Sequence, residues 1–156
     1  MSRLATVEID ETGLPVPPPE LEQERRVALF DLTEANSFAL PPPAPDGPYG
    51  LRLSQRGGSL SFELACPKGQ PAASFALALG SFRQILKDYF QICESYRDAV
   101  RRLPPAEIET IDTARRAIHD AGSELLQARL AGKARIDMAT ARRLFTLICA
   151  LHPGGV

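Results

Sequence analysis

Proline and glycine divide this chain of 156 residues into two unlike parts. Eleven of the fourteen prolines and seven of the eleven glycines lie before Ser81. Proline fixes φ, removes a backbone donor and interrupts helices and central strands alike. The first 80 residues are therefore restricted to short, punctuated elements. From Ser81 to Leu151 the only prolines are the adjacent Pro104 and Pro105, which leaves room for long helices.

In the first part, Leu4, Ala5, Val7 and Ile9 give a short strand. Pro19 suits the first position of a helix, where its missing N–H would be unpaired anyway. Glu20, Glu22 and Glu24 place acid at the positive end of that helix, and the pattern carries it to about Asn36. The run Pro41 to Pro48 reads as a stiff connecting loop, with a polyproline docking segment as the other reading. Three alternating sets follow: Tyr49, Leu51 and Leu53; Leu60, Phe62 and Leu64; Phe75, Leu77 and Leu79. Period-two patterning with one apolar face predicts a half-buried antiparallel β-meander, and Gly57-Gly58 suits its first tight hairpin.

In the second part, Ser81 and Gln84 have the spacing of a capping box. Phe82, Ile85, Leu86, Tyr89, Ile92, Cys93, Tyr96 and Val100 recur on one helical face. Pro104-Pro105 end that helix and start a second, striped by Ile108, Ile111, Ile118, Leu125 and Leu126, which Gly132 stops. Asp137 caps a third, to about Leu151. The order β-α-β-β-β-α-α-α predicts an α+β fold: a small antiparallel meander with an N-terminal strand and helix, packed against three C-terminal helices. One domain spans 1–156, with 1–80 the strand, helix and meander and 81–152 the three-helix segment.

A net charge of −1 argues against a nucleic-acid partner. The charge is uneven: six Lys and Arg against ten Asp and Glu in residues 1–80, twelve against nine in residues 81–156. Cys66, Cys93 and Cys149 form no C-x-x-C pair, so neither a disulfide framework, a zinc site nor another cofactor is indicated. A reducing cytoplasm fits such cysteines. No signal-peptide pattern opens the chain, and no run approaches the ~20 apolar residues needed to cross a bilayer. The expected protein is soluble and cytoplasmic, without a membrane partner.

The polar candidates lie on the second long helix. At 3.6 residues per turn, Arg115 falls inside the apolar arc with Ile111, Ile118 and Gly122. Asp112, Arg115, His119 and Ser123 then run along one seam, with Tyr89 and Tyr96 of the preceding helix beside it. One reading is a pocket for a small anion, with Arg115 as a bidentate clamp, His119 as donor or acid/base and Tyr96 as orienter. The other is an interhelical polar bridge, Arg115 being held by Asp112, Asp88 or Glu94. A lone histidine without cysteine at ligand spacing argues against a metal. Ser95 lacks a nucleophile-elbow context, so no catalytic residue is nominated.

The run Phe82-Arg83-Gln84-Ile85-Leu86-Lys87-Asp88-Tyr89-Phe90-Gln91-Ile92-Cys93-Glu94-Ser95-Tyr96 resembles a small alphaproteobacterial family, an uncharacterised protein family numbered two-six-two in its series. Phe30-Asp31-Leu32, Gly47-Pro48-Tyr49, Arg115-Arg116, His119, Gly122 to Leu126 and Thr140 to Cys149 extend the likeness over nearly the whole chain. The resemblance implies a cytoplasmic stand-alone domain without an established activity, and it carries over no functional residue.

The sequence thus favours a non-catalytic protein–protein interaction or adaptor module. Self-association is one form of it, a homodimer through Met138, Ala141, Leu144, Leu147, Ile148 and Leu151 of the last helix. The alternative is a small-molecule or anion site at Arg115 and His119, with weak transferase or hydrolase chemistry.

Overall fold

The computed structural model describes residues 2–156. Strands β3 (Tyr49–Arg56), β4 (Ser59–Ala65) and β5 (Pro71–Ala78) form the antiparallel meander. Leu53 stands opposite Phe62, and Phe62 opposite Phe75, so alternation puts the large apolar side chains on one face. Gly57, at φ +60°, turns the β3–β4 hairpin.

Strand β1 (Leu4–Asp10) joins this sheet in parallel with β3, giving the order β1-β3-β4-β5. Parallel neighbours need a crossover, which helix α1 (Pro19–Glu34) supplies. The sheet is therefore mixed, and the fold α+β. A second pairing ties the two parts of the chain together. Strand β2 (Phe38–Ala39) runs antiparallel to β6 (Arg135–Ile136), fastening the proline-rich linker to the turn between the last two helices. Two-residue strands leave no periodic signal, so the sequence did not announce this clip.

Helices α2 (Arg83–Arg102), α3 (Pro105–Leu130) and α4 (Met138–Leu151) follow. Asp137 caps α4 as expected, its Oδ1 accepting from Thr140 N–H at 2.8 Å. The capping box at Ser81 does not form. A short 3₁₀ turn, Leu79–Phe82, precedes α2, and Ser81 Oγ donates to Ala78 O while Gln84 Nε2 donates to Asp88.

The helices lie in the order α1, α4, α3, α2, each packed on the next. Helix α4 is central, and nine of its fourteen residues are buried. Leu144, Leu147 and Ile148 are 0% exposed and Leu151 is 1%. The apolar arc expected to remain free for a homodimer is thus covered by the chain itself, and Leu147 is core. Gly122 lets α3 approach α4 closely, since a Cβ there would stand 2.3 Å from the Phe145 ring. One apolar cluster runs from Leu4 through the sheet to Leu151. Each fully buried Leu or Phe in it contributes roughly 1.5–3 kcal/mol relative to exposure.

Candidate functional site

Helix α1 packs on α4 and α2 packs on α3, and a groove lies between α1 and α2. Its volume is about 870 Å³, and Thr146, Cys149 and Ala150 of α4 form the floor. Helix α1 contributes Glu20, Leu21, Glu24, Val27 and Asp31; α2 contributes Tyr89, Phe90, Cys93, Glu94, Tyr96 and Arg97; α3 contributes Arg115. The α1 wall follows from helical spacing. Arg25, Ala28 and Leu32 turn inward, so residues 20, 24, 27 and 31 line the next face round.

Three of the six predicted site residues, Tyr89, Tyr96 and Arg115, line this groove. Arg115 is already engaged. Its Nε donates to Asp112 Oδ1 at 3.1 Å and its Nη2 to the same oxygen. Its guanidinium stacks 4.6 Å from the Tyr96 ring centroid. Arg116 Nε approaches Asp112 Oδ2 at 3.2 Å, so both carboxylate oxygens are taken. The Asp112 hydrogen bonds raise Arg115 above its ordinary pKa, outweighing partial burial. This is the polar-bridge arrangement, made within α3 and leaned against α2.

His119 stands behind Tyr89, at a small hollow of about 120 Å³ edged by Asp31, Arg142, Arg143 and Thr146. Its ring lies 5.3 Å from Tyr89 and 5.2 Å from Phe145, centroid to centroid. Its Nε2 is 2.8 Å from Thr146 Oγ1. The same hydroxyl lies 3.0 Å from Arg142 O, so Thr146 can donate to that carbonyl while accepting from His119 Nε2–H, or donate to the ring instead. Burial lowers the His119 pKa; Asp120 opposes this, while Arg115 and Arg142 reinforce it. Ser123 does not join the site. It is fully buried and donates to His119 O along its own helix.

Burial raises the Tyr89 phenol well above its ordinary pKa, and neighbouring Cys93 adds to the shift. Burial likewise pushes the Cys149 thiol up, which leaves it a weak nucleophile. Among the described residues no three His, Cys, Asp or Glu side chains gather as a metal site.

A second polar cluster, unforeseen from the sequence, lies beneath α1. Arg25 is 6% exposed; its Nη1 is 3.4 Å from Glu11 Oε1, while Nε and Nη2 have no partner among the described residues. His152, the residue that follows α4, lies 2.8 Å from Ile148 O through Nδ1 and 2.8 Å from Gln55 Oε1 through Nε2. Burial lowers its pKa, the Ile148 hydrogen bond resists, and Arg25 deepens the shift. Sequence reasoning missed the α4 floor, Phe90, Cys93, Glu94 and Arg97 of α2, and the whole α1 wall. The signal for the α1 wall was Val27, an apolar residue off the inward stripe with Glu20, Glu24 and Asp31 around it.

No helix is long and apolar enough to cross a membrane among the described residues. A UPF0262 protein of Roseobacter denitrificans is 59% identical over 99% of this chain and all of its own length. Those of Ruegeria pomeroyi and Paracoccus denitrificans are 58% and 59% identical, covering 99% and 98% of this chain and 99% and 97% of theirs. No solved structure matches. A family model, Uncharacterised protein family (UPF0262), matches residues 1–153, and the chain belongs to that family.

Proposed function

We propose that the protein is a cytoplasmic interaction module whose α1–α2 groove takes a partner's amphipathic helix with basic residues flanking its apolar face. The observation that carries this reading is the groove itself: two helix walls held apart over a finished floor, with Leu21, Val27, Phe90 and Tyr96 turned into the gap. An apolar helix face docking in such a gap is a recurring mode of recognition. Charge selects the partner. Glu20, Glu24, Asp31 and Glu94 line the groove against Arg97 and Arg115, and Arg115 is already neutralised by Asp112. The surplus is acidic, so basic flanks complete it. The three free cysteines suit a reducing compartment.

Two labelled peptides test it by fluorescence anisotropy, one an amphipathic helix with Leu on one face and Lys on its flanks, the other with Glu replacing Lys. The Lys peptide should bind and the Glu peptide should not, and Val27→Glu should abolish binding without lowering the melting temperature. Equal binding of both peptides, or binding that survives Val27→Glu, refutes the reading.

A second reading, a small anionic ligand at Arg115 and His119 with weak transferase or hydrolase chemistry, draws on the hollow where Arg142 and Arg143 sit beside the His119 ring. Inorganic phosphate at about 100 times its dissociation constant would add about 2.7 kcal/mol of stability. That gain should vanish in Arg142→Ala; no shift with phosphate removes the reading.

A further inference from the structure

The two edges of the sheet are finished differently. At β1 the side-chain amide of Asn36 stands in for a neighbouring strand, with Leu4 N–H donating to Asn36 Oδ1 and Asn36 Nδ2 donating to Leu4 O at 3.0 Å. Glu8 and Asp10 add charge along that strand, both paired with Arg52. Strand β5 has no charged residue of its own and only one long side chain, that of Lys133, laid on its edge. Its eight residues, Pro-Ala-Ala-Ser-Phe-Ala-Leu-Ala, carry no charge. An uncharged edge strand of this length is a ready template for another strand, which is why natural edges are usually blunted by charge, proline or a covering element.

Register shows which groups of β5 are open. Leu79 N–H donates to Gly58 O, and the antiparallel alternation that follows directs residues 77, 75 and 73 inward to β4. Residues 74, 76 and 78 therefore direct their N–H and C=O outward, while the bulge opposite Leu64 and Ala65 takes Ala72 out of the alternation. Lys133 Nζ reaches the outward carbonyl of Ala76 at 3.1 Å, and Ser81 Oγ that of Ala78 at 3.3 Å. The outward carbonyl of Ser74 accepts nothing among the described residues. A long exposed lysine side chain is a removable guard.

Phe75 adds a second, independent sign. It lies on the core face, stacked on the buried Phe62 at 5.0 Å and 16°, yet it is only half-buried because its outer flank meets no further strand. The apolar face of the sheet runs on to its edge and stops uncovered.

We propose that β5 pairs with the β5 of a second copy, antiparallel about a two-fold axis, so that two four-stranded sheets become continuous. The occupant is a second copy because this edge is self-complementary. Centred on Phe75, the pairing sets Phe75 against its symmetry mate and Ser74 against Ala76. Nothing charged meets its like, and alanine and serine elsewhere permit close approach. Recognition of a foreign strand draws its specificity from side-chain pockets beside the edge, and apart from Phe75 and Leu77 the strand offers only proline, alanine and serine. The inference stands apart from the α1–α2 groove, and neither needs the other.

Sedimentation equilibrium over a range of concentrations, with hydrogen exchange on the same samples, tests it. The mass should rise from one chain to two, and protection of the Ser74 and Ala76 amides should rise with it. Ser74→Pro removes one outward N–H while leaving the bonds to β4, and should hold the protein at single-chain mass; Val27→Glu, in the groove, should not. A single-chain mass for the natural sequence at every concentration overturns the proposal. So does a two-chain mass that comes without protection of those amides, or that survives Ser74→Pro in a folded protein.

Discussion

Of the twenty residues of α2 only Leu86 and Ala99 are buried, whereas nine of the fourteen in α4 are. Both helices carry apolar residues at three- and four-residue steps, and α2 has the sharper division between faces. The difference is one of neighbours. Helix α4 meets α1 on one side, α3 on the other and the sheet beneath. Helix α2 packs along α3 and otherwise borders an open groove, where Tyr89, Phe90, Cys93 and Tyr96 stay half-covered. Periodicity states which face of a helix is apolar; it does not state how many elements will come to cover that face. Apolar surface left over after folding is what an interaction module needs.

The largest test of this contrast places a carboxylate on each helix. Leu147→Asp buries an unpaired charge where nothing can solvate it, and should cost about 4 kcal/mol or more, enough to unfold a marginal domain. Val100→Asp lies on α2 where the side chain is more than half exposed, and should change stability by no more than ~0.5 kcal/mol. Chemical denaturation of the two variants reads both. Equal losses would mean that α2 is as much core as α4.

Gly122→Ala is next in size. The added Cβ would fall on the Phe145 ring, which is itself fully buried and has nowhere to retreat. Overpacking of this kind costs about 1–3 kcal/mol. The two helix starts then sharpen the comparison at smaller scale. Asp137→Ala should cost about 1 kcal/mol through the lost cap of α4. Ser81→Ala should cost much less, because Ser81 caps no helix. Thermal melts of the pair check it, and equal losses would reinstate the capping box.

Much of the fold was legible because its signals were local. Pro19, Pro104-Pro105, Asp137 and Gly132 mark helix ends through their own backbone chemistry, and the meander is written in alternation. The parallel placement of β1 and the β2–β6 clip were not legible, since both depend on segments distant in sequence meeting in space. Ser81-Gln84 misled for a related reason: the hairpin register brings Leu79 N–H to Gly58 O, and the chain leaves that bond in a tight turn rather than an open cap. At the site, spacing brought Asp112, Arg115 and His119 onto one side of α3, and the Asp112–Arg115 pairing was among the partners that spacing allows. It could not separate Ser123, which falls just far enough round the helix to face the core. The α1 wall was invisible because nothing in the sequence says that α1 and α2 would stand apart.

The smallest effect concerns the histidines, one on each side of α4. His119 and His152 both have folded-state pKa values below the ordinary 6.5, burial being the first cause in each. Protons therefore bind the unfolded chain more readily than the folded one. Their contribution to stability is complete above about pH 6.5 and is lost progressively as the pH falls through the unfolded value toward the folded ones. The melting temperature should decline on that acidic limb, and His119→Gln should remove part of the slope while leaving the share of His152. A melting temperature that rises as the pH falls would show that the Gln55 and Ile148 oxygens around His152 favour the imidazolium strongly enough to outweigh both burial and Arg25.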